Sequence, residues 1–550
     1  LTRRAGRVVE GVAHGVGRAF GRVQDLVETH ATAVAVAAVA TTGIAAVILR
    51  LFAIGRLGIN SDEAVYSGQA ATLAGVEGFA EDFSIFRAHP LLYQYTVSVV
   101  YRAFGFHEVS ARLVTAVFGL ATVFVVYLIG QRLSGRRTGL VAAGIFAVMP
   151  FHVIVSRQAL LETPMTFFYA LTLYALLRYF DALDGDGSRV APWAWAFTTG
   201  AMAGLAFMAK EVAGILLVVI FGAMLVGKRF RITHSIPVLG AFVVAVSPHL
   251  LALRLGPKSE GGGGWAEYLI WQLARPTNHP LGFYPSNVFV YFGLPFLLLI
   301  VIGLWWSIRD ARRNPALVAL LFSVIVPVWF FQVWKVKGWH YPVVIAPAVA
   351  VLAAWVLNRW WDSIDRRIRG FATVAAVATL ASLIGISAIN GPIVENYRRI
   401  GEAGYSGIPG GREAAVWLAD NAPDGSRIIG IGPSIGNIIR WYSDHTASAI
   451  SISPNPLRAN PAYEPVRNPD YELRWGLVEY LVYDAYSAAR TPHFANRLLD
   501  FVERYGADIV HEQYGVLVAA DGHTYEAPVI RIYRVGPVGI DIDAGGGESE

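Results

Sequence analysis

The chain has no cysteine, so it builds no disulfide framework, no thiolate metal site and no thiol nucleophile. The same absence leaves the redox compartment unreadable. Charge is scarce as well: 15% of the 550 residues are Asp, Glu, Lys or Arg, against about 25% in an ordinary soluble domain. No internal repeat of solenoid period is visible. Apolar residues make up 55% of the chain and aromatics 12%, including 15 Trp. With a mean hydropathy of +0.47, this is the composition of a membrane protein with interfacial aromatic belts. The pI near 9.2 comes from Arg residues in short loops between apolar runs. Membrane topology accounts for them, and no nucleic-acid partner is expected.

Residues 1–32 carry Arg3, Arg4, Arg7, Arg18 and Arg22, with Val8, Val12, Val16, Phe20, Val23 and Val27 at helical spacing. The pattern predicts a cytoplasmic basic amphipathic segment lying on the inner leaflet. A cleaved signal peptide fits less well, because the apolar run from Ala31 to Ile54 is long enough to span. Further candidate spans fall at 112–130, 139–155, 162–180, 193–209, 212–227, 234–254, 288–307, 315–334, 341–358 and 371–390, after a first at 33–54. Residues 90–106 are short and contain Tyr93, Tyr95, Tyr101 and Arg102.

Orientation decides that segment. If 90–106 lies along the surface, four basic loops share the side of the N-terminus. They carry Arg132, Arg136 and Arg137; Lys228, Arg229 and Arg231; Arg309, Arg312 and Arg313; and Arg359, Arg366, Arg367 and Arg369. The positive-inside rule is then satisfied four times. The expectation is a multi-pass α-helical membrane protein of about 11 transmembrane helices, residues 33–394, in the plasma membrane with the N-terminus cytoplasmic. From 395 to 537 the composition turns polar, and strand-like runs (427–431, 477–483, 508–511, 529–535) alternate with helix-like ones (412–420, 494–505). This predicts a C-terminal extracytoplasmic α/β domain, followed by a disordered tail at 538–550.

The loops on the other side hold the candidate chemistry. Asp62 and Glu63 follow the first span in Asn60-Ser61-Asp62-Glu63-Ala64. One carboxylate can take a proton from a hydroxyl while the other binds an acceptor or metal. The structural alternative is a helix N-terminus, with Ser61 or Asp62 capping and Glu63 favoured by the dipole. His89-Pro90 opens the surface helix, where Pro at a first turn is ordinary and His89 is either ligand-facing or interfacial. Arg157 stands at a span end before Glu162-Thr163-Pro164. Lys210-Glu211 interrupts an apolar run, which is expensive unless the pair faces a polar cavity or a tight outer loop. Lys335, Lys337, His340 and Tyr341 crowd one outer loop against the topological bias, which an anionic ligand would explain.

Two carboxylates and several cations at one membrane depth suit glycosyl transfer from a polyprenyl-phosphate sugar. The lipid phosphate leaves readily but needs cations where its charge builds. The acceptor hydroxyl needs a base at the anomeric carbon. Paired carboxylates can also hold a divalent metal at Asp62 and Glu63; phosphate-binding cations make it dispensable, and no cofactor is required. The loop 255–287, with Gly261–Gly264 before Trp265 and Trp271, is either a lid over the donor or a connector. Gly430-Ile431-Gly432-Pro433-Ser434-Ile435-Gly436 lacks dinucleotide spacing and reads as a structural turn.

An ordered series of these motifs resembles the GT-C superfamily of membrane glycosyltransferases, in the branch of the protein O-mannosyltransferases and the lipid A aminoarabinose transferase. It comprises Asp62-Glu63, His89-Pro90, Ser110-Ala111-Arg112-Leu113, Arg157 with Glu162-Thr163-Pro164, Lys210 after Gly204–Phe207, and His340-Tyr341 before Pro347. The resemblance covers roughly residues 30–390. It implies an inverting, polyprenyl-phosphate-dependent hexosyl or pentosyl transferase, with Asp62 as base and Glu63 close to the acceptor. By the same resemblance His89, Arg157, Lys210, His340 and Tyr341 surround the lipid phosphate; the positive charge of the outer loop, and not the resemblance, adds Lys335 and Lys337 as candidates. Arg112, Glu162 and Glu211 would support the site or meet the acceptor, which is a glycan, lipid or protein. Leu91 stands where the family often has a second Pro, and the sugar-binding insert domains of eukaryotic O-mannosyltransferases are missing. A transporter or flippase of lipid-linked sugars is the rival, but it would place ionisable groups near the midplane of repeated halves. A non-catalytic scaffold would not need these carboxylates and cations.

Overall fold

The computed structural model describes residues 31–85, 89–185, 190–255, 265–363, 365–390 and 408–536, apart from 456–457, 459, 461–462 and 519–522. Most of the basic N-terminal segment, Arg87, the Gly261–Gly264 run and the tail at 538–550 therefore lie outside the described residues. The apolar part is helical: α1 Ala31–Leu51, α2 Ser61–Ala74, α3 Leu92–Phe104, α4 Ser110–Val148, α5 Pro150–Ser156, α6 Glu162–Asp184 and α7 Val190–Ala209. It continues with α8 Leu216–Val226, α9 Ile232–Leu255, α10 Trp265–Ala274, α11 Phe283–Phe292, α12 Leu294–Asp310, α13 Pro315–Val333, α14 Ala346–Trp361 and α15 Arg366–Asn390.

By length and hydropathy alone, five helical stretches among the described residues can cross a membrane, or six if the bent pair α11–α12 is one span. Two local features explain why the expected spans do not map one to one onto helices. Ser134 and Gly135 leave helical geometry inside α4, Gly135 at φ +85°. A Cβ on Gly130 would lie 3.0 Å from the Cα of Gly139, whereas nine residues of straight helix separate Cα atoms by about 13 Å. So α4 is a hairpin of two antiparallel arms, joined where only glycine tolerates the backbone. The expected span 288–307 is broken at Gly293, φ +66°, where α11 and α12 meet at 117°.

The helix α3 has 13 residues, about 20 Å at 1.5 Å each, too short for a core of about 30 Å. It buries Tyr93, Gln94, Val97, Ser98 and Tyr101 on one face and exposes Tyr95, Val99 and Phe104 on the other. The helix α14 is buried on every side from Ala346 to Asn358, as its nearly uninterrupted apolar sequence requires. On the outside, α12, which packs on α14, and α9, which packs on α7, expose Val243, Val244, Leu251, Val301, Trp305 and Ile308. Apolar exposure on that scale is stable against lipid and not against water.

Residues 408–535 build a five-stranded sheet in the order β2-β1-β3-β5-β4: β1 Arg427–Gly430, β2 Thr446–Ala449, β3 Tyr480–Asp484, β4 Asp508–Val518 and β5 Thr524–Arg534. β1 pairs in parallel with β2 and β3, while β5 runs antiparallel to β3 and β4. Alternation sends Ile428, Tyr480 and Val482 to one face and Ile429 and Leu481 to the other. The first face is covered by α16 Gly411–Asn421 and α17 Pro433–Tyr442, the second by α18 Pro492–Arg504. The short strand β2, Thr-Ala-Ser-Ala, carries no sequence pattern that marks it.

The helix α17 also packs on α2. Asn437 Nδ2 donates to Ser61 Oγ (3.0 Å), and Tyr442 Oη accepts from the Ile59 amide (3.1 Å) while donating to Glu108 (2.7 Å). Arg412 pairs with the other oxygen of Glu108 at 2.9 Å, and Trp441 packs with Ile59, Ala64 and Phe83. The sheet is thus clamped onto the loop that carries the acidic pair.

Candidate active site

The acidic turn is built by a capping box. Asn60 is the cap of α2; its side chain accepts from the Glu63 amide and the Glu63 carboxylate accepts from the Asn60 amide, both at 2.9 Å. Glu63 is 1% exposed. Its two oxygens also accept from Arg112 Nε and Nη2 at 2.7 Å each and from the Ala159 amide at 2.8 Å. Arg112 spends its remaining donors on the carbonyls of Ile54, Leu57 and Gly58. Glu63 and Arg112 are therefore fully used in folding the turn, and neither lines a cavity of the site.

Asp62 is left exposed, and no hydrogen bond or ion pair engages its carboxylate among the described residues. It lies on the wall common to two cavities, of about 520 and 460 Å³. The first also contains Tyr66, His89, Glu162, Lys210, Glu211 and the aromatic end of α13 with Phe330, Phe331 and Trp334. The second contains Asn278, Lys337, His340, Ser487 and Arg490. Tyr341, Arg275 and Ser434 border both.

The cations flagged in the sequence come already paired. Lys210 Nζ binds Glu162, and His340 Nε2 lies 3.3 Å from the same carboxylate oxygen. Lys210 also stands 4.8 Å from the Tyr341 ring centroid. Burial acts to lower the Lys210 pKa, but Glu162, Tyr341 and Glu211 outweigh it and hold the ammonium above its ordinary value. His89 Nδ1 lies 2.7 Å from Glu211, whose carboxyl is held below its usual range: burial opposes this, and His89 and Lys210 prevail. Adjacent Lys210 and Glu211 thus serve different partners, which offsets the cost of placing them at the end of an apolar helix.

Three expected ligands are spent on backbone carbonyls instead. Arg157 donates to the carbonyls of Leu49 and Phe52, both at 2.6 Å, and finishes α1. Lys335 is exposed, donates to the Leu273 carbonyl at 3.1 Å and lines neither cavity. Lys337 borders the second cavity but its Nζ caps the Trp334 carbonyl at 2.9 Å. The acidic pair does not fit a shared metal, because Arg112 occupies Glu63. Among the described residues no group of three or more His, Asp or Glu is arranged to hold one.

Two contributions escaped the sequence reading. Arg275 follows α10 and stacks 4.7 Å from the Trp271 ring centroid, with no carboxylate within ion-pair distance among the described residues. Its signal was the one that flagged Lys335, a cation outside the basic loops. From the sheet region, Pro433, Ser434, Asn437, Arg440 and Tyr463 roof the first cavity, so the glycine-rich turn before α17 is structural and also borders the site. No local pattern reveals that contact.

Residues 88–251 match the family described as dolichyl-phosphate-mannose-protein mannosyltransferase. The structure of ArnT from Cupriavidus metallidurans bound to undecaprenyl phosphate superposes with a TM-score of 0.63, at 15% identity, over 92% of this chain and 98% of that one. The fold is that of the GT-C glycosyltransferases. Among relatives by sequence, an uncharacterized protein of Aquifex aeolicus is 27% identical over 303 residues, 53% of the chain and 58% of the relative. The polyprenol-phosphate-mannose–protein mannosyltransferase of Corynebacterium glutamicum is 28% identical over 187 residues, 28% of the chain and 36% of the relative. The matches thus span little more than half, or less, of these relatives' lengths.

Proposed function

We propose that the chain is an inverting glycosyltransferase that moves a sugar from a polyprenyl-phosphate donor to an acceptor hydroxyl on the extracytoplasmic membrane face. The observation that carries this reading is the unpartnered Asp62 carboxylate on the wall between two cavities. The first cavity suits the donor, because Lys210 and Arg275 present N–H donors to a phosphate and the aromatic end of α13 suits its isoprenoid tail. The second suits the acceptor.

The acceptor oxygen attacks the anomeric carbon as Asp62 takes its proton. The bond to the phosphate oxygen breaks, and its electron pair leaves with the lipid phosphate, whose growing charge meets Arg275 and Lys210. One displacement inverts the anomeric centre. Glu63 offers no second nucleophile, since both its oxygens are held. The α10 segment, with Tyr268, Trp271 and Arg275 over the first cavity, acts as the donor lid.

The reading also rests on about 11 spans, with the basic loops inside and the α/β unit at 408–535 outside. The test is reconstitution in liposomes with radiolabelled polyprenyl-phosphate sugars and an extract of cell-envelope acceptors. Transfer with inversion, lost in Asp62→Asn, is expected. Failure to bind polyprenyl phosphate, together with absence of transfer, overturns the proposal.

A further inference from the structure

At the far end of α13 from the catalytic cavities lies a third cavity of about 460 Å³, whose walls include Arg309, Arg312, Arg313, Leu317, Trp355 and Arg359. The 19 residues of α13 put about 28 Å between the two ends, which is the thickness of a bilayer core. The cavity therefore opens at the opposite membrane interface.

Its charge is unbalanced. The one carboxylate in the wall, Asp310, is taken by Arg359. Arg359 is fixed further between Trp306 and Trp355, 4.9 and 5.6 Å from their ring centroids. Arg309, Arg312 and Arg313 are exposed and have no carboxylate within ion-pair distance among the described residues. Directly beside them ends an apolar stripe of α12 comprising Leu298, Val301, Trp305 and Ile308, each 54–61% exposed. Topological bias explains basic residues clustered in one loop. It does not explain why Arg359 and Trp355, from another helix, close the same hollow.

We propose that this cavity binds the phosphate of an anionic phospholipid whose acyl chains lie along the α12 stripe. Guanidinium groups match a phosphodiester in geometry and charge, and basic pockets between membrane helices are suited to such head groups. A zwitterionic lipid is selected against, because its ammonium meets three uncompensated guanidinium groups and no free carboxylate. The site is independent of the transferase chemistry at the other interface.

The test is native mass spectrometry of the full chain in detergent, titrated with phosphatidylglycerol, phosphatidylcholine of the same acyl chains, or inorganic phosphate. Phosphatidylglycerol should be retained at least about tenfold more strongly than phosphatidylcholine. The preference should vanish in Arg312→Gln/Arg313→Gln. In Asp310→Asn, which frees Arg359, it should increase, a change that misfolding does not mimic. Millimolar inorganic phosphate should leave the lipid in place. Equal retention of the two lipids, an unchanged preference in both variants, or full displacement by inorganic phosphate overturns the proposal.

Discussion

Arg112 grips Glu63 through two hydrogen bonds of 2.7 Å, and this pair divides the labour of two carboxylates that are neighbours in sequence. With Glu63 closing the capping box and anchoring the turn, the next carboxylate, Asp62, is turned out into the cavities. The two positions should therefore fail in different ways when mutated. Glu63→Gln leaves a buried guanidinium without its counter-charge, a defect worth about 3–5 kcal/mol. Thermal unfolding in detergent should show a large fall in Tm. An unchanged Tm would remove the structural role.

Asp62→Asn should keep the Tm and the affinity for the lipid donor. Turnover should fall by about 10²–10⁴, the range for losing a general base. Wild-type turnover in this variant sinks the base assignment.

Lys210 and Arg275 offer a similar contrast. Lys210→Met leaves Glu162, which is 1% exposed, with His340 alone as its partner, so both stability and donor binding should fall. Arg275 is half-buried and stacked on Trp271, with no carboxylate to strand. Arg275→Ala should weaken binding of polyprenyl phosphate about tenfold, as expected for losing a charge-assisted hydrogen bond, at unchanged Tm. Undiminished binding by Arg275→Ala, measured by tryptophan fluorescence or calorimetry, would take Arg275 out of the phosphate site.

Hydropathy and charge alternation made the helices legible, because lipid imposes its demands over whole spans of sequence. The turn at Gly135 was legible too, as the basic loop between the expected spans 112–130 and 139–155, but the bend at Gly293 was not, since a single glycine in an apolar run does not announce a positive φ. In the site, Asp62, His89, Lys210, His340 and Tyr341 could be seen one by one because each is costly in an apolar context. What each residue does was hidden wherever it depends on a partner distant in sequence. Arg157 reads as a ligand until the carbonyls of Leu49 and Phe52 come into view, and Lys210 reads as a free cation until Glu162 does. The roof formed by Asn437 and Ser434 depends on docking of one fold unit on another, which no local spacing encodes.

That docking gives the sheet region a testable part in catalysis. The Tyr442 hydroxyl holds the Ile59 amide, three residues before Asp62, and lines neither cavity. Tyr442→Phe removes that bond, worth about 1 kcal/mol, and the one to the Glu108 carboxylate, worth about 1.5–3 kcal/mol. If the sheet region positions the acidic turn, kcat should fall several-fold with the donor KM unchanged. A change confined to Tm, with kcat intact, would make the contact purely structural.

Stability of the sheet unit should also carry a pH signature at Asp484. This residue is 0% exposed, and burial pushes its carboxyl up to about 6, against the opposing pull of the Ser487 amide and side chain. Its folded pKa lies above the unfolded value of 3.8, so the folded chain binds the proton more tightly. The resulting stabilisation is complete below about 3.8 and is lost as pH rises through about 6. Asp484 caps the short helix that follows by accepting from the Ser487 amide at 2.6 Å, a role that Asn fills equally well. Asp484→Asn should therefore raise the Tm at about pH 8 and leave it nearly unchanged at about pH 4, flattening the profile between them. A variant whose Tm follows the wild-type pH dependence would assign that dependence to other groups.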